Sequence, residues 1–280
     1  ISTLPRFVAA EAQHRSLILG LRRQDPGRQA SGARYGLFVS LRQGLGQLTQ
    51  RLTDQLAPHL HLQQRAVGLT RRRGLWQVRT HSGQSWTAPR LILALPAWRA
   101  ADLLRQAQPA LAQALAAIRY GSSVSVTLGW HSTEALARPL DAYGLVVPAA
   151  EGLPLQAATW SSAKYPGRAP AGGALIRCFF GGHGRRVRTG DSDAALSALA
   201  LDQLRLLLGR VDAPDIVRVV RYPRALPRYE IGHAGRITAI EDACARAPGL
   251  ALAGNAYHGI GIAAAIASGH AAADKLAALP

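Results

Sequence analysis

The stretch GNAYHGIGIAAAIASGHAAA, Gly254 to Ala273, is the feature that most constrains this chain. It follows the short apolar run Leu250-Ala251-Leu252-Ala253, which has the composition of a buried strand. A strand, a tight glycine loop and an alanine-rich helix, in that order, form a unit that holds nucleotides. The loop can bring free backbone N–H groups and the positive end of a helix dipole to one place. Such a unit normally opens its domain, whereas here it lies at the end of the sequence.

Gly254 and Gly259 have the outer spacing of a phosphate loop. Ile260-Gly261 stands where that loop requires Lys-Ser/Thr, which argues against ATP or GTP hydrolysis. No βαβ unit follows, so the loop is not the dinucleotide fingerprint either. Free N–H donors at a helix start suit a partial negative charge, such as the one a flavin ring develops near N1 and O2 on reduction. Close packing of helix on strand through small residues explains the glycines equally well, and the loop alone does not decide between the two.

The rest of the chain alternates helix and strand patterns. An amphipathic helix is expected over 5–23 and a polar, small-residue linker over 24–35. A helix follows the loop Arg42-Gln43-Gly44 and runs to about Leu56. Strand patterns occupy Leu60 to Thr70, Leu75 to Thr80 and Ser85 to Leu95, with Ser82-Gly83 as a hairpin turn. Pro96 ends the last of these and a helix runs from Ala97 to Gln106. Strands are expected at 122–131, 144–148, 156–161, 173–181, 215–222 and 250–253. Helices are expected at 191–209, capped by Asp191 or Ser192, at 234–246 and from about 260 to 277. The class is α/β, with a long β-rich insertion between two segments of one nucleotide-binding layer.

Composition narrows the function by exclusion. With 48% hydrophobic and 18% charged residues the chain is globular. Its net charge is +17, yet lysine occurs only at Lys164 and Lys275, so the remaining basic residues are arginines, scattered along the chain. Nucleic-acid modules cluster charge and interleave exposed aromatics with it, so no nucleic-acid partner is expected. Contact with an anionic membrane surface fits the charge better. Cys178 and Cys244 fit no metal or redox spacing and read as buried small apolar residues in a reducing compartment. The nine histidines make no metal-binding motif; His59-x-His61 lacks a nearby third ligand. No GxSxG elbow occurs, and Gly44-x-Gly46 without a third glycine is an ordinary turn. No side-chain constellation announces an acid, base or nucleophile. If the chain is catalytic, a cofactor carries the chemistry. It contains no methionine, even at position 1, which suggests a fragment or a trimmed N-terminus.

Five segments, in order, together resemble one family. Ser40-Leu41-Arg42-Gln43-Gly44-Leu45 is similar to the SLRGGL segment of protoporphyrinogen and coproporphyrinogen oxidases, the HemY-type flavoproteins related to amine oxidases. Leu91-Ile92-Leu93-Ala94-Leu95-Pro96-Ala97 resembles their VILATPA. The run from Thr159 to Pro170, TWSSAKYPGRAP, resembles their WSSxKFPxRAP. The run from Tyr222 to His233, YPRALPRYEIGH, resembles RWPxAxPQYxVGH. Leu252 to Ile262, LAGNAYHGIGI, resembles LAGxxYxGVGI.

The resemblance implies an FAD-binding layer, here incomplete, with an inserted mixed β-sheet substrate domain. The implied limits are 1–35 for the end of a helical, membrane-associated segment and linker, 36–97 and 223–280 for the FAD layer, and 98–222 for the substrate domain. The family's N-terminal GxGxxG unit, which binds the ADP half of FAD, is missing. Val67 corresponds to a strand residue whose backbone meets adenine. Tyr222 stands where an aromatic, often tryptophan, lies near the flavin. Gly254, Asn255, Ile260, Gly261 and Ile262 correspond to positions against the flavin and ribityl chain. Thr159 and Phe179 correspond to substrate-pocket positions, the threonine replacing a usual apolar residue. No catalytic side chain is implied.

The implied reaction is aromatisation of a porphyrinogen, protoporphyrinogen IX or coproporphyrinogen III, in haem biosynthesis, with molecular oxygen as acceptor. The implied location is cytoplasmic, with peripheral contact at the inner face of the plasma membrane, and a homodimer is among the allowed assemblies. The alternatives are a related flavin amine oxidase or carotenoid desaturase, or a non-catalytic basic fragment that binds membrane or porphyrin.

Overall fold

Two tight turns organise the first strands. A turn at 42–43 leads into helix α1 (Gly46–Leu56). Then β1 (Ala66–Arg72), β2 (Leu75–Thr80) and β3 (Ser85–Ala88) form an antiparallel meander. Arg73 and Gly74, joining β1 to β2, both have positive φ, as a two-residue hairpin loop of matching twist requires. The computed structural model describes residues 11–16, 19, 39–181 and 189–279. The helix expected over 5–23 and the linker expected over 24–35 lie largely or wholly outside the described residues.

The strand expected over 85–95 is two strands. Pro89 has no N–H to give to a ladder, and the chain leaves the meander there. β4 (Leu91–Leu93) instead joins a distant segment, β10 (Leu250–Leu252), in parallel, with Leu91 opposite Leu250 and Leu93 opposite Leu252. Parallel neighbours need a long crossover between them, and the Gly121–Leu226 part of the second unit lies in that crossover. Gly249 permits the approach. Its φ is +75°, and a Cβ there would collide with the Pro89 carbonyl oxygen. The Leu91 N–H donates to the Gly249 carbonyl at 2.7 Å.

The described residues divide into two compact units. One holds His59–Tyr120 and 227–279, with 11–16 and 19; the other holds 39–58 and Gly121–Leu226. These limits differ from the expected ones in three places. Residues 98–120 pack with the first unit, through α2 (Ala97–Leu104) and α3 (Pro109–Ala116). Residues 39–58 and 223–226, expected in the same layer as β4, belong with the second unit. The reason for the first difference is the core itself. Ala97, Ala100, Leu104, Leu111 and Leu115 are buried with Trp76, Leu93, Ile240 and Leu250 in one apolar cluster. The small alanines let the helices approach closely, and the Trp76 Nε1–H donates to the Pro248 carbonyl at 3.1 Å.

The second unit is built on a five-stranded sheet of order β6-β7-β8-β5-β9. Its strands are β5 (Tyr120–Trp130), β6 (Gly144–Val146), β7 (Leu155–Trp160), β8 (Ala174–Gly181) and β9 (Ile216–Pro227). β5 pairs antiparallel with β8, β8 with β7, and β7 with β6. Helix α4 (Asp193–Leu208) starts at Ser192, whose hydroxyl accepts from the Ala195 N–H at 3.2 Å. It covers one face of the sheet. Leu196, Ala200 and Leu204 are buried with Val124, Val126, Leu128, Ile176, Cys178 and Phe180. Strand alternation therefore turns Ser125, Thr127, Arg177 and Phe179 to the other face.

Candidate functional site

In the first unit the glycine loop joins β10 to the last helix, α6 (Ile262–Ala277), and α5 (His233–Ala245) lies just before β10 in the chain. Both ends of the loop are fixed. The Ala253 N–H donates to the Leu93 carbonyl at 3.1 Å, continuing the parallel pairing. The Gly254 N–H donates to the Ser268 hydroxyl, two turns into α6, at 3.0 Å. Between them, the Tyr229 hydroxyl donates to the Asn255 carbonyl at 2.9 Å and accepts from the Gly259 N–H at 2.7 Å. Gly259 has φ +154°, and a Cβ on it would lie 2.7 Å from the Ala264 Cβ. Only glycine fits this position without strain.

Gly261 caps α6 in extended geometry, φ −80° and ψ 161°, with no side-chain cap bond. The first intrahelical bond runs from the Ala265 N–H to the Gly261 carbonyl at 3.0 Å. The N–H groups of the first helical turn are therefore left without helical acceptors. No acidic residue occupies that turn, and a Cβ built on Gly254 or Gly261 meets nothing within 4 Å. Ile260 and Ile262 are exposed on either side. The result is a helix start with its donors and its positive dipole end uncovered, beside open space.

Aromatic groups set the loop from beneath. The Tyr229 ring stacks on His233 at 3.9 Å between centroids. His233 is buried and its Nε2 lies 3.2 Å from the Tyr257 carbonyl. Burial pushes the His233 pKa below its ordinary value, against the Tyr257 carbonyl, which raises it; Arg236 and His258 lower it further. Burial likewise raises the Tyr257 phenol and the Tyr229 phenol, the latter opposed by the Gly259 N–H. All three groups are thus neutral at physiological pH. Tyr229 and His233 act as fixed dipoles that hold backbone in place.

Val67 lies elsewhere in the same unit. It is half exposed in β1 and rims a cavity of about 600 Å³ with Ala66, Leu95, Arg99 and Leu103. None of residues 254–262 lines that cavity.

Thr159, Phe179 and Tyr222 are all in the second unit. Ala157 and Ser125 flank Phe179 across the sheet, while Thr159 and Thr127 flank Arg177. Thr159 and Phe179 therefore share the face turned away from α4, one row apart. In β9, Val219 packs into the α4 core and Arg221 reaches Asp193 at 2.6 Å. Alternation then places Arg218 and Tyr222 on the same face as Phe179. A Cβ built on Gly129 would touch both Leu175 and Ile216, which fixes this registration of faces independently.

The structure thus gathers eight of the nine sequence-derived residues into two sets, with Val67 apart, and adds supporting residues to each. Tyr229, Ser268 and His233 shape the loop, and Arg177 and Arg218 charge the sheet face. Tyr229 and His233 were visible within the YPRALPRYEIGH segment; nothing in the sequence ties Ser268 to Gly254, because their bond spans a helix whose rotation the sequence leaves open. Among the described residues no group of three His, Cys, Asp or Glu could hold a metal ion. No described helix is long and apolar enough to cross a membrane.

A parallel pair ending in a glycine loop and helix, with a second, antiparallel sheet carried in the crossover, is the architecture of flavin amine oxidase-type proteins. The chain shares its fold with putrescine oxidase, at 14% identity and a TM-score of 0.65 over 84% of its residues, a likeness of fold alone. It also matches a crystal structure from Exiguobacterium sp. 255-15 that bears a provisional protoporphyrinogen oxidase name. That match has 29% identity and a TM-score of 0.82, covering 97% of this chain and 57% of that one. In sequence the chain is 28% identical over 277 residues to the coproporphyrinogen III oxidase of Bacillus subtilis (strain 168), covering 97% of this chain and 58% of that protein. It is 35% identical over 248 residues to the coproporphyrinogen III oxidase of Propionibacterium freudenreichii subsp. freudenreichii, covering 85% and 45%. No family model matches it. The chain is thus a relative of the coproporphyrinogen III oxidases over nearly all of its residues, and it spans about half the length of the curated relatives it matches.

Proposed function

We propose that this chain is the portion of an FAD-dependent oxidase that holds the flavin end of the cofactor and the porphyrinogen, and that the whole protein converts a porphyrinogen to the porphyrin in haem biosynthesis. The observation that carries this reading is the alignment of 97% of the chain with a coproporphyrinogen III oxidase. The uncovered helix start at Gly261 supports it. In this reading the first unit is the FAD layer and the second the substrate domain.

The residues present fit the cofactor. Gly254 and Gly261 have no neighbour where a Cβ would stand, so a planar ring and its ribityl chain can approach the backbone there. When bound beside Gly254 and Gly261, FAD would supply two-electron oxidation chemistry with molecular oxygen as the final acceptor. The chain's own part is positioning and charge. The free N–H groups from Ile262 onward favour negative charge beside them. Tyr229 keeps Asn255 and Gly259 in register, so those donors are already aimed before any ligand arrives. Val67, on its cavity, would border the adenine. Tyr222, Thr159 and Phe179 would form part of the substrate wall. A net charge of +17 suits peripheral contact with an anionic membrane face from the cytoplasm.

Flavin content tests the assignment of the loop. Full-length protein should purify with a flavin absorption spectrum, and Gly261→Asp, which adds bulk and negative charge at the helix start, should abolish it. Full flavin content in that variant would refute the placement.

A further inference from the structure

The face of the five-stranded sheet turned away from α4 carries charge of one sign. None of its five strands contains an aspartate or glutamate. Two arginines, Arg177 in β8 and Arg218 in β9, lie on that face, and both are exposed. Among the described residues neither makes an ion pair. The Arg177 Nε–H donates to the Thr127 hydroxyl at 3.3 Å, which fixes the plane of the guanidinium and leaves its terminal nitrogens for another acceptor. Thr159 stands directly opposite Arg177 on the other side. One row along the sheet from Arg177 is the half-buried ring of Phe179, and Tyr222 is further along the same face.

An aromatic ring beside an oriented guanidinium recognises a flat apolar body with a carboxylate on its rim. A cationic face without acids rejects a ligand whose rim is apolar at that point, because the arginine would lose water and gain no partner. Both candidate porphyrinogens present apolar pyrrole rings for such a contact, and their porphyrin products are flat throughout. Coproporphyrinogen carries four propionates, whereas protoporphyrinogen has vinyl groups in place of two of them.

We infer that Arg177, oriented by Thr127 and assisted by Arg218, binds a substrate propionate and selects the tetracarboxylate porphyrinogen over the dicarboxylate one. This rests on the porphyrinogen reading above. Arg177 is then a specificity residue, with Thr127 as its positioning residue.

The test is titration of the full-length protein with coproporphyrin III and, separately, protoporphyrin IX, followed by quenching of porphyrin fluorescence, with turnover of the two porphyrinogens measured alongside. Wild type should bind coproporphyrin more tightly. Arg177→Gln should weaken coproporphyrin binding on the order of tenfold and leave protoporphyrin binding unchanged. Arg177→Lys should restore part of the loss, and Arg218→Gln should show a smaller effect of the same kind. Arg177 is exposed, so these variants should keep the wild-type melting temperature. Equal loss for both porphyrins, or no loss in either Gln variant, would overturn the inference. A selective loss with no turnover of either porphyrinogen would keep the carboxylate face and remove the oxidase reading instead.

Discussion

The Tyr229 hydroxyl lies 2.7 Å from the Gly259 nitrogen and gives its own proton to the Asn255 carbonyl at 2.9 Å. One side chain thereby spans a loop whose two ends are already tied to Leu93 and Ser268. This bridge is the main reason the donors at the start of α6 have a fixed direction.

Tyr229→Phe keeps the stacked ring on His233 and removes both hydrogen bonds. At roughly 1 kcal/mol net for each, the variant should lose about 2 kcal/mol of stability in chemical denaturation. Flavin should dissociate faster from the full-length variant. An unchanged denaturation midpoint would show that the bridge is not a stabilising contact.

Gly259→Ala and Gly261→Ala should separate cleanly. At Gly259 the new methyl would meet Ala264 at 2.7 Å, in a backbone conformation of φ +154°. The expected cost is about 1–3 kcal/mol. At Gly261 the φ is −80° and the space is open, so stability should be unaffected. Thermal melts of the two variants side by side check the contrast.

His233 should make stability depend on pH. Its folded pKa lies below the ordinary 6.5, so between those two values the unfolded chain binds the extra proton. Its contribution is therefore complete above about pH 6.5 and is lost as pH falls toward the folded pKa. The melting temperature should drop on acidification from pH 7.5 to 5.5. In His233→Gln that drop should be smaller, since the neutral amide does not titrate.

Cys178 should be silent to thiol reagents while the protein is folded. It is fully buried against α4 and burial pushes its thiol up to about 12, so almost no thiolate exists at neutral pH. Labelling should proceed at the rate at which the second unit opens, and denaturant should accelerate it. Rapid labelling in native buffer would contradict the packing of β8 on α4.

The sequence disclosed the elements that local chemistry dictates. Ser82-Gly83 marks a hairpin, Ser192 a helix start, and the apolar run 250–253 a strand next to its glycine loop. It concealed what depends on partners far away. Leu91–Leu93 looks like the end of the preceding strand, yet its partner is Leu250–Leu252, and Pro89 is the only local hint of the break. α3 carries a start signal in Pro109 at its first turn, but its alanines and glutamine give only a weak periodic pattern. For the site, the loop 254–262 was legible in its glycines. Arg177 was not, since which face of a strand a residue occupies is set by what packs on the other side.

The central claim is most directly tested by adding coproporphyrinogen III to the full-length, flavin-loaded protein in air and following porphyrin fluorescence together with oxygen uptake. The account predicts that porphyrin appears as oxygen is consumed, and that Gly261→Asp does neither. Flavin-loaded protein that leaves the porphyrinogen unoxidised while consuming oxygen with an amine would contradict it.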